Sequence, residues 1–118
     1  MKLRIRGNSL RLRLTQSEVA TLRDFGSVEE TVHFSPTSKL AYAIERSGGG
    51  EIGARFEDGR ILVQVPEAIV LEWCNTARVG VGGVAGEVKV LVEKDWQCLV
   101  PRDEDESDAF PHPSNKKT

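Results

Sequence analysis

The chain has 118 residues, 39% of them apolar, with 16 Lys and Arg against 18 Asp and Glu, for a formal net charge of −2. That length allows one core and too little for two, and the patterned apolar runs exclude a wholly disordered chain. No apolar run approaches the roughly 20 residues of a bilayer span, and two cysteines make no disulfide framework, so a soluble, unexported, cytoplasmic protein without membrane association is expected.

The charges are segregated. Residues 2 to 14, KLRIRGNSLRLRL, hold Lys2, Arg4, Arg6, Arg11 and Arg13 and no acid, whereas RDEDESD at 102 to 108 carries Asp103, Glu104, Asp105, Glu106 and Asp108 against Arg102. Gly7-Asn8 predicts a two-residue type II′ hairpin. Its register places Leu3, Ile5, Leu10 and Leu12 on one face, and sets Arg4 opposite Arg11 and Lys2 opposite Arg13 on the other. Like charges directly opposite cost roughly 0.2–1 kcal/mol per pair, so an anion is expected nearby.

LTQSEV offers Thr15 as N-cap with Glu18 three residues on, a capping box, and Leu14 with Val19 as a hydrophobic staple. A helix is predicted over 16–25, with Val19, Leu22 and Phe25 as its core stripe and Gly26 as its C-cap. VEETVHF (28–34) and KLAYAIE (39–45), parted by a turn composition, read as strands of a meander. In IGARFEDGRILVQV, Asp58-Gly59 predicts a type I′ turn that pairs Glu57 with Arg60 and puts Ile52, Ala54 and Phe56 on one face with Val65, Val63 and Ile61. Pro66 can open a second helix at its first position, burying Ile69, Val70, Trp73 and Ala77.

The glycine-rich stretch 80–86 reads as a flexible link. It looks like a relaxed dinucleotide fingerprint, but a helix precedes it and a strand follows, the reverse of what that fingerprint needs. Residues 86–100 alternate Val88, Val90 and Val92 with Glu87, Lys89 and Glu93, which predicts a long closing strand. No internal repeat of solenoid length is present. The reading is an α+β domain over 1–101, a mainly antiparallel sheet of about six to seven strands with two helices in the order β-β-α-β-β-β-β-α-β, followed by an acidic, Pro-containing tail at 102–118.

Catalytic signatures are sparse. His33, His112, Cys74 and Cys98 stand at no short ligand spacing, so no metal site is expected, and there is no G-x-S-x-G elbow. Neither a cofactor nor a catalytic residue is assigned. The basic hairpin has three readings. Its cations are a solvated face or are balanced by acids such as Glu87 and Glu93; or the tail docks on it through Asp103, Glu104, Asp105, Asp108 and the apolar anchor Phe110; or Lys2, Arg4, Arg6, Arg11 and Arg13 bind an external anion, for which arginine's fork is suited. A pI near 5.7 and few aromatics argue against nucleic acid.

MKLRIRGNSLRLRLTQSEV, VEKDWQCL and the near-terminal DAFPHP together resemble a family of short uncharacterised bacterial proteins that begin with a basic hairpin and end on Asp-x-Phe-Pro. The resemblance implies a bacterial cytoplasmic origin and lends no activity. The expectation is a non-enzymatic binding domain that takes its own acidic tail, a second copy or a small anionic ligand. The alternative is a metal-dependent enzyme for a phosphorylated small molecule, with Arg4, Arg11 and Arg13 on phosphate and Glu87 or Glu93 on the cation. It lacks the Glu-x-Glu-x-Lys run of tunnel-type triphosphatases, having only Glu87-Val88-Lys89.

Overall fold

The computed structural model describes residues 1–96 and Phe110. The chain runs β1 (Lys2–Arg6), β2 (Ser9–Leu14), α1 (Gln16–Phe25), β3 (Ser27–Ser35), β4 (Ser38–Ser47), β5 (Gly53–Glu57), β6 (Arg60–Pro66), α2 (Glu67–Asn75), β7 (Gly80–Ala85) and β8 (Val88–Lys94). The expected boundary at 101/102 lies outside the described residues, but the closing strand expected over 86–100 is shorter: β8 stops at Lys94, and Asp95 and Trp96 are not in a strand.

Local chemistry accounts for the turns and the first helix. Gly7 takes a positive φ of 52°, and β1 pairs with β2 in the expected register, Arg4 on Arg11 and Lys2 on Arg13. Asp58 and Gly59 both have positive φ, as a type I′ turn requires, and Glu57 faces Arg60. The Thr15–Glu18 capping box is formed, and Gly26 closes α1 in the left-handed region with its N–H on the Leu22 carbonyl. Pro66 is the N-cap of α2 rather than its first helical residue, a shift of one position.

The sheet arrangement departs from the expected single, mainly antiparallel sheet. There are eight strands in two four-stranded sheets, ordered β1-β2-β8-β7 and β3-β4-β6-β5. Each is mixed, because β2 runs parallel to β8 and β4 parallel to β6. The missed strand is β7, which occupies the stretch expected to be a flexible link. It is glycine-rich because its neighbours stand close. A Cβ at Gly82 would lie 2.9 Å from the Val90 carbonyl oxygen, and one at Gly83 would lie 3.2 Å from Ile52 Cδ1.

A repeat governs this topology, although it is not of the solenoid kind. Residues 2–47 and 53–94 each form a β-β-α-β-β unit, and each unit gives one hairpin to each sheet. Leu12 beside Val92 in one sheet answers Val63 beside Ile44 in the other. Leu12 and Val63, Leu14 and Val65, Val19 and Val70, and Leu22 and Trp73 are matching positions, and all eight are buried in one cluster between the sheets. Matching cations finish the helices. Arg46 Nη1 donates to the Arg23 carbonyl at the end of α1 (2.8 Å), and Lys94 Nζ donates to the Thr76 carbonyl at the end of α2 (2.6 Å). Positive charge is favoured at that pole of a helix.

Both helices lie at one end of the inter-sheet core, and the turns of all four hairpins lie at the other. Residues expected to be buried by each helix fall outside the core. Phe25, in the last turn of α1, is 82% exposed, and Ala77, past the end of α2, is exposed as well. No helix among the described residues is long and apolar enough to cross a membrane.

Candidate functional site

The outer face of the first sheet carries the basic hairpin. Across its strands, one row reads Lys2, Arg13, Glu93 and Gly80, the next Arg4, Arg11, Leu91 and Gly82, and the third Arg6, Ser9, Lys89 and Val84. Glu93 Oε1 sits 3.2 Å from Arg11 Nε and 3.5 Å from Arg13 Nε, while Lys2 Nζ is 3.2 Å from Asp95 Oδ2. The acids therefore lie toward the helix end, on β8 and just past it. Arg6 and Lys89 stand exposed at the hairpin end. Of the acids expected to balance the hairpin, Glu93 does so. Asp95, which the sequence reading did not single out, joins it, and Glu87 is instead an exposed turn residue whose carbonyl accepts from Asn8 Nδ2 (2.6 Å). Asp103, Glu104, Asp105, Asp108, Cys98 and His112 lie outside the described residues. Phe110 is 95% exposed.

The inner faces open at the hairpin end into an apolar mouth of about 390 Å³, lined by Ile5, Leu10, Leu40, Ala54, Phe56, Ile61 and Val88 with Arg55 at the edge. The mouth is built on the repeat: Ile5 matches Phe56, Leu10 matches Ile61, and Leu40 matches Val88. At the helix end, Leu14, Val65, Ile44 and Val92 hold the same inner faces closed against α1 and α2. Among the described residues no third helix covers the other end. Ile5 is 57% exposed and Phe56 69%, so the apolar face expected for β5 and β6 is correct in direction but leaves the core at Phe56. Large apolar groups gathered at one open end commonly mark an interaction surface.

A polar cluster closes the seam where β1 meets β3. The amine of Met1, a buried residue, bonds Glu18 and Glu30, and Tyr42 Oη donates to Glu30 Oε2 at 2.7 Å. Burial acts to lower the amine's pKa, but the hydrogen bonds and charges of Glu18 and Glu30 outweigh it and hold it above its ordinary value. Burial acts to raise Glu18, and the amine together with the Thr15 backbone and hydroxyl hold it below the usual carboxylate range. The hydrogen bond to Glu30, with burial behind it, pushes the Tyr42 phenol up to about 12. This cluster was invisible as a site in the sequence, since it joins residues from four separate segments.

Two further hollows lie elsewhere. One, of about 600 Å³, is walled by α1, Cys74, Lys94 and Trp96, where burial pushes the Cys74 thiol up. The other, of about 410 Å³ on the outer face of the second sheet, mixes Lys39, Arg55 and Glu57 with the Arg60–Glu29 pair. Among the described residues no three or more His, Cys, Asp or Glu side chains gather to hold a metal ion. His33 is exposed on β3.

The fold and these surfaces define an α+β protein of two mixed sheets with an open apolar end and a charged outer face. The sequence profile of DUF7009, a family of unknown function, matches residues 1–114, and the chain belongs to that family. No curated protein matches it.

Proposed function

We propose that this chain is a small binding domain and that its seat is the mouth at the hairpin end. It takes an apolar group that carries anionic charge beside it. The observation that supports this most is the adjacency of two surfaces: Ile5 and Val88 line the mouth, and Arg6 and Lys89 follow them in sequence on the outside of the same strands. An apolar group in the mouth would be held by burial, worth about 1.5–3 kcal/mol for a side chain of Leu or Phe size. A neighbouring carboxylate, sulfonate or phosphate would meet the two cations, each exposed contact adding about 0–1 kcal/mol.

The charge arrangement refines the three readings of the basic hairpin. Toward the helix end its cations are met by Glu93 and Asp95, which supports the balanced-charge reading for that portion. In this reading the anion sits at the hairpin end, where Arg6 and Lys89 are exposed.

Anilinonaphthalene sulfonate, an apolar anion with environment-sensitive fluorescence, tests the reading. One saturable site per chain is expected, weakened by Phe56→Ser in the mouth and by the double variant Arg6→Glu/Lys89→Glu on the flank. Absence of saturable binding, or binding that neither variant alters, overturns it.

A further inference from the structure

The mouth has a matching group elsewhere in the chain. Phe110 is 95% exposed, so it does not sit in the mouth of its own chain, and the residues before it in sequence are the acidic run Asp103, Glu104, Asp105, Glu106 and Asp108. An aromatic side chain preceded by carboxylates is the ligand chemistry that the mouth and its flank are suited to bind. We propose that the mouth of one copy receives Phe110 of a second copy, with the acidic run laid toward Arg6 and Lys89. The proposal rests on the reading of the mouth as a binding seat.

Geometry allows the exchange. Trp96 lies at the helix end, whereas the mouth lies at the hairpin end, a separation set by the seven residues of β8, about 23 Å. The intervening residues 97–109 can span at most about 43–47 Å, enough to reach a neighbouring copy. Each copy would then give one Phe110 and accept one, a closed two-fold arrangement in which two modest contacts reinforce each other. A pair, rather than an open chain of copies, is the expected product.

Sedimentation velocity of the full chain, from micromolar to millimolar concentration, provides the test. A concentration-dependent dimer is expected, weakened at least about tenfold by either Phe110→Ala or Phe56→Ser, since each empties the same contact. Phe56 is a surface residue in the monomer, so its replacement leaves the fold intact. Mixing the two variants should produce a heterodimer tighter than either alone, because one still has its mouth and the other its Phe110. A dimer that survives Phe110→Ala but not Phe56→Ser would show mouth against mouth and overturn the proposal. A full chain that stays monomeric throughout, with dye binding increased by Phe110→Ala, would put the arm in its own mouth and also overturn it. A monomer with dye binding unchanged by Phe110→Ala would leave the mouth to a foreign ligand, so that this inference fails while the proposed function stands. Failure of the dye to bind any variant overturns both.

Discussion

Glu30 and Gly83 occupy the same place in the two halves of the chain. Glu30 stands opposite Tyr42, and Gly83 opposite Val90, at matching steps of β3–β4 and β7–β8. Around Glu30 are the Met1 amine, Glu18 and Tyr42. The matching positions around Gly83 are Ile52, Ile69 and Val90, all apolar, with Ile52 set against the glycine. One seam is closed by ions and hydrogen bonds, the other by hydrocarbon.

The ionic seam is brittle toward loss of one member. Glu18 both completes the α1 capping box and pairs with the buried amine, so Glu18→Ala should destabilise by roughly 2–4 kcal/mol, combining a lost cap with a buried charge left short of its partner. Denaturant unfolding measures it. A loss below about 0.5 kcal/mol would mean the pairing is not made in solution.

Its pH dependence has two limbs. Glu18 has a lowered folded pKa, so its contribution is present above the ordinary value of 4.5 and is lost as pH falls through the lowered one. The amine has a raised folded pKa, so its contribution is present below 8.0 and is lost as pH rises through the raised value. Thermal melts of the wild type should decline at both extremes, and Glu18→Gln should flatten the acid limb.

Tyr42 is the chain's single tyrosine, which gives a spectroscopic reading of the same cluster. Tyrosinate absorbance in the native chain should rise with a midpoint of about 12, against 10.0 for the ordinary phenol, and Glu30→Gln should bring it down. A native midpoint at the ordinary value would mean that the Tyr42–Glu30 bond is absent.

The two glycines of β7 should differ under substitution. At Gly82 a Cβ meets a backbone oxygen that cannot move away without disturbing the sheet, whereas at Gly83 it meets the tip of Ile52, which can rotate. Gly82→Ala should therefore cost about 1–3 kcal/mol and Gly83→Ala less than about 1. The reverse order would mean β7 is not placed against β8 as described.

Much of the local structure was legible in the sequence, because turn and cap chemistry is local. Gly7-Asn8, Asp58-Gly59 and Thr15-x-x-Glu18 each specify a geometry within a few residues, and all three hold. The division into two sheets was not legible. It depends on β2 meeting β8 and β4 meeting β6, pairings between distant segments decided by which inner faces fill one core. β7 was hidden for a related reason: its glycines read as looseness, and only the packing of Leu91 and Ile52 shows them as close approach. Of the candidate site, the hairpin cations and the balancing role of Glu93 could be read. The mouth could not, since the apolar pattern of Ile5 and Phe56 is that of core residues and only the fold leaves them at an open end.

Residue-resolved NMR of the full chain during titration with anilinonaphthalene sulfonate shows whether the hairpin end is the binding seat. Saturable shifts are expected at Ile5, Leu10, Leu40, Phe56, Ile61 and Val88, with Arg6 and Lys89 beside them, and little change in α1 and α2. Shifts centred on the helix-end hollow around Cys74 and Trp96, or none at all, would contradict it.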